Sequence, residues 1–176
     1  SATIGLLAAT GDPERFASHI MIHPSPCFLN RPPDYHGGFE RSDLEELIDL
    51  MDRNHLGWAH YLAPLVLGGE SSEMMVGELS DSFCSTDPIV AKTFACATFF
   101  SDYRHILPSV KQPSLILQSE VDVLADADVG RYVHQRMPGS SLRILPSEGH
   151  CAHMTHPELV NSEIQAWLAS ESSTTR

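Results

Sequence analysis

Positive charge is scarce in this chain: 11 lysines and arginines stand against 23 aspartates and glutamates, a formal net charge of −12. Nucleic acid and anionic membrane would both be repelled, so neither is an expected partner. No run of about 18 apolar residues occurs, so no membrane-spanning helix is expected. The apolar stretch Ile4 to Ala9 is short and lacks the basic leader of a secretory signal. Cysteine is sparse too. Cys27, Cys84, Cys96 and Cys151 form no Cys-x-x-Cys pair and no zinc-like spacing, and they read as reduced thiols of a cytoplasmic protein. What is present is enough to fold. With 42% hydrophobic and 19% charged residues, the 176-residue chain has a globular composition, and a chain of this length buries roughly 68–70% of its unfolded surface.

Apolar spacing gives the order of elements. Ile4, Leu7 and Ala8 recur at helical spacing until Gly11-Asp12-Pro13, and His19 to His23 reads as a buried strand closed by Pro24-Ser25-Pro26. From about Arg31 to Val110 no strand is expected and four helices follow one another. The first has a capping box of Ser42 and Glu45 and a stripe of Leu44, Leu47, Ile48 and Met51. The second surrounds Trp58, Tyr61 and Leu62 and is expected to end at Pro64. The third carries Met75, Leu79 and Phe83. The fourth starts at Asp87-Pro88 and is expected to bury Val90, Phe94 and Ala97. After Pro113 a strand (Leu115 to Gln118), a helix (Val129, Val133, Met137), a strand (Leu142 to Leu145) and a helix (Leu159, Ile164, Trp167, Leu168) alternate, which implies parallel pairing through crossovers. The expected class is therefore α/β, the C-terminal part of an α/β-hydrolase fold with a four-helix cap insertion. The expected divisions are core at 1–30, cap at 31–110, core at 111–169 and a polar, frayed tail at 170–176.

Two loops carry the chemistry. Leu115-Ile116-Leu117-Gln118-Ser119-Glu120-Val121-Asp122 and Ser147-Glu148-Gly149-His150 each place a polar residue where an apolar strand ends, as the acid and histidine of a Ser-His-Asp triad are placed. Glu120 and Asp126 rival Asp122 in the same loop. No Gly-x-Ser-x-Gly elbow occurs, and Ser1-Ala2-Thr3-Ile4-Gly5 reads as a helix already under way. His150, His153 and His156 are spaced like metal ligands, but no carboxylate or cysteine completes a familiar set, so neither metal nor cofactor is expected. Cys151 points away from its neighbour His150 on extended backbone and reads as a packed thiol.

Longer words tie the chain to a family. Met21-Ile22-His23-Pro24-Ser25-Pro26-Cys27-Phe28-Leu29-Asn30, Gly37-Gly38-Phe39-Glu40, Phe83-Cys84-Ser85-Thr86-Asp87-Pro88, Phe99-Phe100-Ser101-Asp102-Tyr103-Arg104 and Gly149 to Pro157 resemble the RsbQ-like α/β-hydrolases, the family of the plant strigolactone and karrikin receptors. The resemblance implies Asp122 as triad acid and His150 as triad histidine. The family's elbow reads Gly-His-Ser-Val-Ser-Ala-Met-Ile-Gly, so Ser1 to Gly5 aligns with its last five residues and the nucleophile is expected upstream of Ser1. This chain alone is then expected to be inactive. Asp126 stands where the family has proline and puts a second carboxylate near the acid. Ser101, Asp102 and Arg104 are expected to brace cap to sheet.

Phe28, Trp58, Phe94 and Phe99 are the expected substrate-lining aromatics, since a helical cap over a hydrolase sheet lines an apolar pocket by default. The implied activity is hydrolysis of a small apolar ester or enol ether. The alternatives are a ligand sensor whose cap contacts a signalling protein, and an inactive fragment.

Overall fold

The computed structural model describes residues 1–69 and 71–174. Three parallel strands, β1 (His19–Ile22), β2 (Ser114–Val121) and β3 (Ser140–Glu148), form a sheet in that spatial order. Their registers pair His19 with Ser114 and Ser114 with Ser140. α1 (Ala2–Gly11) precedes β1, α6 (Ala127–Arg136) connects β2 to β3, and α7 (Ala152–Thr155) and α8 (Pro157–Thr174) follow. Alternation along β2 explains the layers. Ile116 faces a cluster with Leu6, Ile106, Val133 and Met137, whereas Leu115 and Leu117 face Leu145, Val160 and Trp167. Helices therefore cover both faces, as a parallel sheet requires.

Between β1 and β2 lie α2 (Arg41–Arg53), α3 (His55–Leu67), α4 (Glu73–Cys84) and α5 (Pro88–Phe99), the four-helix cap. Its own core joins Leu44, Ile48, Met51, Trp58, Leu62, Val66 and Phe99 to Phe28 and Tyr35 from the segment after β1. Asp102 and Arg104 hold that segment, whereas Ser101, also expected to brace cap to sheet, donates its hydroxyl to Thr98 O within the end of α5. Arg104 makes a 2.7 Å ion pair with Asp102 and lies over the Tyr35 ring, and Tyr103 N–H donates to Pro26 O.

Several local expectations change. The α2 capping box is built from Glu40 and Asp43 rather than Ser42 and Glu45: the Glu40 amide donates to Asp43 Oδ2 at 2.9 Å, and Glu45 pairs with Arg41 instead. α3 runs through Pro64 to Leu67, because Val66 and Leu67 are buried in the protein. The carbonyl one turn earlier, which proline deprives of a donor, belongs to the exposed His60. In α1 the buried residues are Leu6 and Ala9 while Ile4 is exposed, and in α5 they are Ala95 and Phe99 while Val90 and Phe94 are exposed. Both helices are apolar nearly all round, so spacing alone does not select a face. α8 continues past Ala169 to Thr174, with the Ser172 and Ser173 hydroxyls donating to carbonyls one turn back. Positions 175 and 176 of the expected tail lie outside the described residues.

Candidate active site

Because the strands are parallel, their C-terminal ends open on one edge of the molecule. β1 delivers His23 there, β2 delivers Asp122, and β3 delivers Gly149 and His150. His150 Nδ1 donates to Asp122 Oδ2 at 2.7 Å, across 28 residues of sequence. Asp122 Oδ1 accepts from the Leu124 amide at 2.8 Å, and its side chain is fully buried. Gln118 Nε2 donates to the Ala125 carbonyl, which fixes the turn after Asp122. With Nδ1 engaged as donor, the neutral tautomer of His150 leaves Nε2 as a bare lone pair, the state a general base needs.

The backbone before His150 is set by cap and sheet together. The His150 amide donates to Val66 O at 2.7 Å and the Gly149 amide to Val121 O at 2.8 Å. Gly149 has φ 95°, and a Cβ there would run into the Leu67 carbonyl. Glycine is needed at that point both for the left-handed backbone and for the close approach of α3.

Sequence reasoning missed a second layer. His23, also at positive φ (49°), donates from Nε2 to Ser119 Oγ at 2.8 Å. Ser119 Oγ donates to the Gly149 carbonyl at 2.8 Å and stands 2.9 Å from Ser147 Oγ. Since the Ser119 proton goes to Gly149, its oxygen accepts from His23, which fixes the tautomer of His23. The His23 and His150 rings are 5.3 Å apart between centroids. Burial, with His150 beside it, pushes the His23 imidazole down to about 4, against the opposing pull of Asp122. The one signal in the sequence was a histidine closing an apolar run directly before Pro24.

The other candidate residues fall as follows. Asp126 caps α6 by accepting from Asp128 N–H, and Glu120 is exposed. Asp122 is thus the one carboxylate of this loop bonded to His150. His150, His153 and His156 are not gathered; among the described residues the cluster of ligand-type atoms is His23, Asp122 and His150. Cys151 is packed against the cap core, and burial raises its thiol to about 11. All four cysteines are free. Phe28, Trp58 and Phe99 are buried in the cap, Phe28 edge-on to Phe99 at 5.2 Å, whereas Phe94 is 55% exposed. A cleft of about 550 Å³ between the α3–α4 turn and Val123 is lined by Leu65, Gly68, Val76 and Glu148, apart from those aromatics. No described helix is long and apolar enough to cross a membrane.

Parallel sheet, helical cap and an acid–histidine pair at the strand ends define an α/β-hydrolase. No protein-family model matches the chain. It is similar to a hydrolase from Oleispira antarctica of known structure, at 54% identity and a TM-score of 0.92 over 96% of this chain and 62% of that one. A probable esterase of Oryza sativa subsp. japonica is 37% identical over 161 residues, 91% of this chain and 59% of the relative. The karrikin insensitive 2 receptor CA of Petunia hybrida is 35% identical over a like extent, again 91% and 59%. The chain belongs to the RsbQ-like branch of the α/β-hydrolases, the family of the strigolactone and karrikin receptors, and it spans about three fifths of the length of the curated relatives it matches.

Proposed function

We propose that the chain supplies the acid and the base of a Ser-His-Asp hydrolase of esterase type, acting on a small apolar ester or enol ether. The observation that carries this reading is the 2.7 Å bond from His150 Nδ1 to the buried Asp122. The serine and the oxyanion-hole amides come from sequence outside these 176 residues. His150 Nε2 takes the serine proton as the hydroxyl attacks the acyl carbon, then returns it to the leaving group. Asp122 holds the ring and stabilises the imidazolium without itself accepting the proton. Backbone amides hold the developing oxyanion. In this reading Phe28, Trp58, Phe94 and Phe99, which lie in the cap apart from the cleft at Val123, supply the apolar lining of a pocket completed by the rest of the hydrolase.

In a protein carrying the serine, Asp122→Asn is expected to lower ester turnover by roughly 10⁴-fold, and Asp126→Asn far less. Reversed losses would transfer the acid role to Asp126. A second reading, a ligand sensor whose cap surface contacts a protein partner, is favoured by relatives named as receptors. Single-turnover or absent hydrolysis with tight ligand binding supports the sensor; multiple turnovers of ordinary esters support the enzyme.

A further inference from the structure

We propose that His23, Asp122 and His150 form a binding site for a borderline-soft divalent cation of the zinc class, and that the bound ion silences the triad. One ligand-type atom from each of the three residues lies within 4.8 Å of the others. Two imidazoles and a carboxylate are a common donor set for zinc. His23 is 3% exposed, its Nε2 is committed to Ser119, and its Nδ1 is buried without a hydrogen-bond partner. The tautomer imposed by Ser119 leaves that Nδ1 as a bare lone pair. A lone pair buried without a partner is unfavourable, and a cation bound to it would offset that cost. The bond from the other ring nitrogen to Ser119 is the outer support that metal-bound histidines characteristically have.

The spacing fits. A zinc–nitrogen bond of about 2.05 Å places each ring centroid roughly 3.2 Å from the ion, and a tetrahedral angle then separates two centroids by roughly 5.2 Å. The His23 and His150 centroids are 5.3 Å apart. Ligand atoms around tetrahedral zinc stand roughly 3.3 Å from one another, so the set, which lies within 4.8 Å, has to draw together by side-chain rotation to close on an ion. His150 has 24% of its side chain exposed, which gives the ion its approach. The formal charge of −12 favours a cation in general.

Inhibition rests on the hydrolase reading; binding does not. If the ion takes His150 Nε2, the lone pair of the base is consumed. If it takes Nδ1, the ring proton moves by way of solvent to Nε2, so the bond to Asp122 is broken and the Nε2 lone pair is no longer free. Either geometry stops proton transfer.

The test is calorimetric titration of residues 1–176 with zinc(II), alongside cobalt(II) followed by its visible ligand-field absorption. The variants are His23→Ala, His23→Asn, His150→Ala and His153→Ala. Asparagine tolerates positive φ, so His23→Asn keeps the test open should His23→Ala fail to fold. One ion per chain is expected, with affinity lowered more than about tenfold by His23→Asn and by His150→Ala and unchanged by His153→Ala. No binding, or equal affinity in the His23 variants, overturns the site. In a serine-bearing protein, zinc(II) should slow ester hydrolysis in the parent at concentrations that leave His23→Asn unaffected. Full occupancy without slowing overturns the inhibition alone. Absent hydrolysis before any metal is added overturns the hydrolase reading and leaves the binding result standing.

Discussion

Gly149 and Gly139 both hold positive φ, 95° and 74°, yet their surroundings differ completely. A methyl group at Gly149 collides with the Leu67 carbonyl, whereas nothing lies within 4 Å of one at Gly139. Gly139→Ala should therefore cost only the left-handed backbone, about 1–2 kcal/mol. Gly149→Ala should cost more, about 2–4 kcal/mol, and should displace His150 from Val66. Urea unfolding of the two variants checks this, and equal midpoints would mean that the loop moves aside freely. At this scale legibility was uneven. Asp122 and His150 could be read because they follow two successive strand-like runs in the chain order of a triad acid and histidine. His23 could not, since nothing in His-Ile-Met-Ile-His announces that the last residue turns to positive φ and points back at the triad loop. Ser119 and Ser147 look like any polar residues on a strand, and their role exists only once β2 and β3 are paired.

Among the elements, amphipathic helices were read correctly and uniformly apolar ones were not. Leu44, Ile48 and Met51 of α2 and Val129 and Val133 of α6 are buried as their spacing predicts, because charged residues fill the opposite faces. α5 has apolar side chains on every side, and the cap core claims Ala95 and Phe99 while Ile89, Val90 and Phe94 stay exposed. This separates two residues proposed to line the substrate pocket. Phe99→Ala removes a buried ring packed edge-on to Phe28 and should cost about 3–5 kcal/mol. Phe94→Ala should stay within about 0.5 kcal/mol. If Phe94 lines the pocket, its removal weakens binding of small apolar ligands to a serine-bearing protein while stability holds. Unchanged ligand affinity in Phe94→Ala would remove it from the lining.

For the molecule as a whole, the order of elements was legible because strand and helix periods differ, and crossovers then force parallel strands. Polar groups that the assembled sheet buries were not legible, and His19 is one whose burial bears on stability. It opens β1, stacks on Phe16 at 5.6 Å, donates its amide to Pro113 O, and has a buried Nε2 without a hydrogen-bond partner. Burial lowers its proton affinity below the ordinary imidazole value of 6.5, against a raising contribution from Gln112. The unfolded chain then binds a proton on acidification that the folded chain refuses. Stability from neutral His19 is complete above pH 6.5 and declines as pH falls below it. His23, held down to about 4, and His153 are lowered in the same direction, each by burial and by His150, and they add to the loss over the same range. Asp102, held ionised by Arg104, loses its contribution only below its ordinary 3.8, so the interval from about pH 7 to 5 isolates the histidines. The urea midpoint should fall across that interval, and His19→Phe, which preserves the stack on Phe16, should make the fall shallower. A midpoint constant across it in the parent, or an equal slope in His19→Phe, would mean that His19 is protonated within the fold at little cost.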